Sequence, residues 1–134
     1  MNDAQPRFKF HSRNTVRKDC LKIYKKGKDE LFAVLSGLSG RVSFTADLWT
    51  SPSGTRGFMS VTGHFIDGDW KLKKRVLGFV PVPTPHTGKQ ISDSLLHVIM
   101  SWNFDKKVFC LTLDNASSND ACVRELLQSN LVLY

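Results

Sequence analysis

No apolar run in the sequence approaches the roughly 20 residues that cross a bilayer, which excludes a membrane-spanning helix. Cysteine is sparse: Cys20, Cys110 and Cys122 are the three present, and none forms a Cys-x-x-Cys pair. That argues against a disulfide framework and against a zinc finger, and leaves the thiols as small buried side chains. His11, His64 and His97 lack metal-ligand spacing, while His86 reads as a turn histidine or as an anion contact at the helix start behind it. Glutamate occurs only at Glu30 and Glu125. There is no internal repeat and no low-complexity tract, and the opening MNDAQPRFKF has no apolar core for a secretory signal. A soluble protein of the cytosol or nucleus is the expectation.

The composition is that of a globular chain, 41% hydrophobic and 10% aromatic over 134 residues, which suits one domain with a modest core. The net charge of +7 is unevenly placed. Residues 1–40 hold nine lysines and arginines against four acids, and residues 41–134 hold ten against eight, so the attraction for an anionic partner is amino-terminal. Residues 1–13 read as a flexible basic arm with no period. Residues 14–40 read as an amphipathic helix, helical from Thr15 to about Ser36 behind a cap at Ser12 or Asn14. Val16, Cys20, Tyr24, Gly27, Leu31, Val34 or Leu35, and Leu38 recur at three- and four-residue steps on one side, and Arg17, Lys18, Lys22, Lys25, Lys26 and Lys28 lie on the other. Gly27 marks either a kink or a close contact.

Beyond Gly40 the period changes to two. Arg41 to Leu48 alternates Val42, Phe44, Ala46 and Leu48 with Ser43, Thr45 and Asp47, which predicts a buried strand ending on an acid. Gly57 to Ile66 and Trp70 to Val80 flank Asp67-Gly68-Asp69, the pattern of a hairpin, so three strands form an antiparallel meander. Thr87 caps a helix through Trp102, and Val108 to Leu113, apolar on both faces, reads as an interior parallel strand. Strand, crossover helix and buried strand imply a parallel pairing with a right-handed connection. Ser117-x-x-Asp120 opens a last helix that packs Ala121, Leu126 and Leu127, and Leu131 to Tyr134 reads as the stub of something longer.

If the fourth strand pairs with the first, Asp47 and Asp114 stand about 5 Å apart at the carboxyl ends of neighbouring strands, the usual ligand crevice of an open α/β sheet. Two carboxylates so close repel unless a hard cation lies between them. Mg²⁺ or Mn²⁺ there suits an in-line displacement at a phosphodiester. Each acid also has a structural alternative as an Asx turn or helix cap. Trp49 and Trp102 are expected in the core rather than as platforms for bases.

The runs RVSFTADLWTS, GHFIDGDWKLKKRVLGF, PHTG and VFCLTLDNASSND, in this order, resemble the RNase H-like catalytic domain of hAT transposases, in particular the plant ricesleeper-like group associated with BED fingers. The resemblance covers residues 8–128. It implies an RNase H-like mixed sheet over 41–134, partial at its carboxyl side, and catalytic acids at Asp47 and Asp114 that hold Mg²⁺ or Mn²⁺. It also implies DNA as partner and the nucleus as location. The family's third acid, a glutamate, and its Cys-x-x-His motif have no match here, so the chain is expected to lack transposase activity of its own. DNA phosphates are candidates for the basic helix face and for Lys73, Lys74 and Arg75, and Lys71 adds to that run. The competing expectation is a non-enzymatic DNA-binding or interaction module from a domesticated or decayed transposase. An apolar edge on the fourth strand raises self-association as a further expectation.

Overall fold

A computed structural model describes residues 10–52, 54, 56–114 and 117–129. The arm up to residue 9, Ser53 of the first turn and the stretch from 131 to 134 lie outside the described residues. The chain divides into two compact units, Met1–Gly37 and Leu38–Tyr134.

The first unit is a single helix, α1 (Arg13–Ser36). Ser12 caps it, its hydroxyl accepting the Thr15 amide at 3.2 Å, and the Gly37 amide closes the last turn on the Leu35 carbonyl. α1 runs through Gly27 without interruption, and a Cβ there would meet nothing within 4 Å. Gly27 therefore marks no close contact; it costs the helix about 1 kcal/mol relative to alanine. Arg17, Lys18, Lys22, Lys25 and Lys26 are exposed and Lys28 is half-buried.

The second unit is built on a four-stranded sheet in the order β3-β2-β1-β4. β1 (Val42–Thr50), β2 (Gly57–Ile66) and β3 (Leu72–Val82) form the antiparallel meander, and β4 (Val108–Leu113) runs parallel to β1. β1 continues two residues past Leu48 because Trp49 and Thr50 still pair with Phe58 and Gly57. β4 departs from the expected interior position. It is the edge strand among the described residues, with Phe109 and Cys110 exposed, so its unbroken apolar character does not report burial on both faces.

One face of the sheet carries the core. Val42, Phe44 and Ala46 of β1 and Met59, Val61 and Phe65 of β2 are all buried on it, and Phe104 meets the Phe44 ring edge-on at 5.9 Å. Each such side chain contributes about 1.5–3 kcal/mol by leaving water. α2 (Gly88–Ser101) buries Ile91, Leu95, Val98 and Ile99. It begins on a capping box in which Thr87 and Gln90 satisfy each other's amides, and just past its end the Trp102 indole donates to the Leu77 carbonyl at 2.8 Å. α3 (Ser117–Gln128) buries Cys122 and Leu126, whereas Leu127 is exposed. The two helices approach at Gly88, where a Cβ would lie 2.7 Å from the Ala121 backbone carbon and the Cys122 amide nitrogen.

Only Cys122 of the three thiols is buried; Cys20 and Cys110 are exposed, against the expectation for them. Burial, and then the nearby Glu125 carboxylate, push the Cys122 thiol up to about 11. Trp102 is in the core as expected. Trp49 is not: it is 42% exposed on the opposite face of the sheet, against the Phe79 ring at 5.3 Å.

Candidate catalytic and nucleic-acid site

Asp47 lies inside β1 rather than at its end, paired with Ser60 of β2. What ends there is the other ladder. The parallel pairing of β1 with β4 runs Val42 with Val108, Phe44 with Leu111, Thr45 with Thr112 and Ala46 with Leu113, and stops. The next residue on each strand is an acid, Asp47 on β1 and Asp114 just after β4, and both are exposed. Adjacent strands lie about 4.8 Å apart, so the backbones of the two residues leave the last shared rung side by side.

That meeting depends on a register shift. Between the Val42 and Phe44 rungs β1 advances two residues and β4 three, so β4 carries one extra residue at Phe109-Cys110. A regular ladder would set Leu113 level with Asp47. The extra residue sets Asp114 there instead, on the face that Thr45 and Thr112 share, and returns Leu111 and Leu113 to the face of Phe44 and Ala46. Periodicity reading passes over this bulge; its one trace in the sequence is that Phe109-Cys110 interrupts the two-residue alternation.

The neighbouring side chains are held by specific contacts. Thr45, two residues before Asp47, hydrogen-bonds His64 at 3.2 Å. His86 spans the end of β1: its Nε2 meets the Thr50 hydroxyl at 3.2 Å, its Nδ1 meets the Pro83 carbonyl at 3.1 Å, and its ring fills the space that a Gly57 side chain would need. His86 thus braces the strand that carries Asp47. Sequence reading gave it a place in a turn and had no signal for the partner 36 residues away.

A groove lined by Thr45, Thr62, His64, Lys74, Arg75 and Val76 crosses the open face of the sheet. Lys74 and Arg75 are exposed, and the Arg75 guanidinium donates to the Lys74 carbonyl at 2.8 Å. Lys73 pairs with Asp67 at 3.3 Å, and on α1 Lys26 pairs with Glu30 at 3.8 Å. Among the described residues no three histidine, cysteine, aspartate or glutamate side chains gather closely enough to hold an ion. The donor set on offer at the strand ends is two carboxylates. No described helix is long and apolar enough to cross a membrane.

A mixed sheet with a parallel β1–β4 pair and a crossover helix between β3 and β4 defines an RNase-like α/β domain. Residues 45–133 match the family model described as the ZBED1 RNase-like domain, and the chain belongs to that family, the RNase-like domain of hAT transposases. Its relatives include the maize protein named "Putative AC transposase", 40% identical over 98% of this chain and 17% of that protein. They also include RICESLEEPER 2 of Oryza sativa subsp. japonica, 37% identical over 99% of this chain and 19% of that protein, and DAYSLEEPER of Arabidopsis thaliana, 33% identical over 90% and 17%. The chain therefore spans less than a fifth of the length of these curated relatives.

Proposed function

We propose that this chain supplies the first two acids of the metal-dependent strand-cleavage and strand-transfer site of a hAT-type DNA transposase, with Asp47 and Asp114 as the pair. The observation that supports the reading is the bulged β1–β4 register, whose last rung pairs Ala46 with Leu113, the residues just before Asp47 and Asp114. Two like charges so placed destabilise one another, and a divalent cation offsets that repulsion. A carboxylate pair matches Mg²⁺ or Mn²⁺, which takes one or two protein carboxylates and leaves positions for phosphate oxygens. When bound, such an ion stabilises the charge that develops at a phosphodiester under in-line attack.

The residues of this chain then divide the work. Asp47 and Asp114 hold the cation, His86 and Thr45 keep the strand beneath Asp47 in place, Lys74 and Arg75 neutralise phosphates along the open face, and Lys73 adds its charge beside the hairpin turn. Arg17, Lys18, Lys22, Lys25, Lys26 and Lys28 do the same along α1. Action on chromosomal DNA places the protein in the nucleus. The third carboxylate of the family's site has no match among the residues of this chain, so on this reading the chain by itself does not cut DNA. Robust Mn²⁺-dependent nicking by the purified chain, abolished by Asp47→Asn, would overturn that assignment.

The direct test is divalent-dependent DNA binding. Mn²⁺ is expected to tighten binding of a labelled duplex by the parent chain and not by the Asp47→Asn, Asp114→Asn double variant; equal tightening in both removes the acids from the site. The uneven charge favours a second reading, a DNA-binding module with no chemistry, in which reversal of Lys25, Lys26 and Lys28 abolishes binding while the acids are silent.

A further inference from the structure

The β2–β3 hairpin ends in a feature that neither the acids nor the phosphate contacts use. Trp70 is 86% exposed, the highest value among the large hydrophobic residues described, and its neighbour Leu72 is 71% exposed. Tryptophan offers the largest apolar surface of any side chain, and leaving one almost wholly in water at a loop tip forgoes its burial. Its backbone sits at φ 59°, a left-handed conformation that few bulky residues adopt.

The turn is built to hold that conformation. The Asp67 carboxylate accepts from the Asp69 amide at 3.0 Å and the Lys71 amide at 2.9 Å, and pairs with Lys73 at 3.3 Å. The Trp70 amide donates to the Asp67 carbonyl at 3.0 Å, and the Asp67 amide to the Lys71 carbonyl at 3.0 Å. Each side of the turn is thus tied to the other, and the indole is presented on a closed hairpin rather than a loose loop.

The surroundings choose the partner. Lys71, Lys73, Lys74 and Arg75 follow the indole against the two acids Asp67 and Asp69. A cationic ring around an apolar tip repels a second copy of the same tip and attracts a polyanion. Bases exposed for stacking belong to single strands and opened ends, which bind by aromatic platforms set beside basic grooves. The groove lined by His64, Lys74, Arg75 and Thr45 lies on the open face, and its His64–Lys74 end is two rungs from Ile66 and Leu72, the last rung before the turn. The tip is remote from the acids: Ser60 is level with Asp47, and Ile66, six residues on, leads into the turn, about 20 Å along the strand.

We infer that the β2–β3 hairpin tip is a single-stranded DNA contact in which Trp70 stacks on an unpaired base while Lys74 and Arg75 hold the adjoining phosphates. This rests on DNA being the partner, and the test separates the two claims. Binding of a short labelled single strand and of its duplex is measured by fluorescence anisotropy across a salt series for the parent chain and for Trp70→Ala, Trp70→Phe and Lys74→Ala. Trp70→Ala is expected to weaken single-strand binding about tenfold with an unchanged salt slope, as loss of one stacked base would. Trp70→Phe restores most of the affinity, and Lys74→Ala lowers the slope by about 0.7.

A Trp70→Ala chain that binds the single strand as tightly as the parent overturns the inference and leaves DNA as partner intact. A parent chain that binds neither form at low salt overturns both. Self-association that Trp70→Ala abolishes, with no change in DNA affinity, assigns the tip to a second copy and likewise overturns it. Trp70 is 86% exposed, so its side chain contributes no core packing, and an unchanged circular dichroism spectrum checks that the variants fold.

Discussion

Asp114 stands level with Asp47 only because β4 spends one more residue than β1 between the Val42–Val108 and Phe44–Leu111 rungs. Removing that residue tests the relationship from the stability side. Deleting Cys110, which is exposed, takes out the extra residue and leaves a regular ladder in which Leu111 and Leu113 keep Phe44 and Ala46 as partners, whereas deleting Thr112, beyond the bulge, turns Leu113 to the open face. Urea unfolding is expected to change little for the first deletion and to show a loss of about 1.5–3 kcal/mol for the second, the worth of one leucine returned toward water. Equal losses for both would mean that the bulge does not set the register.

Gly88 and Gly27 make a matched pair. At Gly88 the backbone of α3 occupies the space of a side chain, so Gly88→Ala has to part the two helices and is expected to cost about 1–3 kcal/mol. At Gly27 the space is open and the backbone helical, so Gly27→Ala is expected to stabilise by about 0.4–1 kcal/mol. Thermal unfolding of both variants should move in opposite directions.

The thiols divide by environment. Cys122 is buried and its pKa is raised to about 11, so at neutral pH it is a protonated, shielded thiol. Cys20 and Cys110 are exposed. Mass spectrometry after brief alkylation of the native chain is expected to find the label on Cys20 and Cys110 and absent from Cys122 until denaturant is added.

The hairpin carries a pH signature. The Lys71 amide, then the Lys73 ammonium and the Asp69 amide, hold the Asp67 carboxyl below its ordinary value, against a smaller opposing effect of burial. A carboxyl depressed in the folded state stabilises fully above its unfolded value of 3.8 and loses that contribution as pH falls through the folded value. Protection of the Asp69 and Lys71 amides, the exchange rate relative to that of an unstructured chain at the same pH, should therefore be full at neutral pH and fall as pH drops below 3.8. In Asp67→Asn the protection should be lower at neutral pH and unchanged by acid.

Much of the fold was legible because its signals are local. The two-residue alternation of Val42, Phe44 and Ala46 set β1, the Thr87 cap set the start of α2, and Asp67-Gly68-Asp69 set the hairpin. The crossover from β3 to β4 then required a parallel pair. What escaped was nonlocal. The apolar run of β4 looks the same at an edge as in an interior, because one buried face and one bulge suffice to fill it with apolar residues. Trp49 falls by the strand period on the face of Ser43, Thr45 and Asp47, and the pairing that carries β1 past Leu48 is what sets it there, against Phe79. The two acids were found by their positions at the ends of apolar runs, but the register that aligns them is a property of the ladder, as is the reach of His86 to Thr50.

The central claim is that Asp47 and Asp114 share a divalent cation, and paramagnetic broadening by Mn²⁺ tests it most directly. Titrating substoichiometric Mn²⁺ into the isotope-labelled chain is expected to erase the amide signals around Asp47 and Asp114 together, before any others. Asp47→Asn should relieve the broadening at Asp114 as well as at its own position. Broadening centred elsewhere, or persisting at Asp114 when Asp47 is neutral, would contradict a shared site.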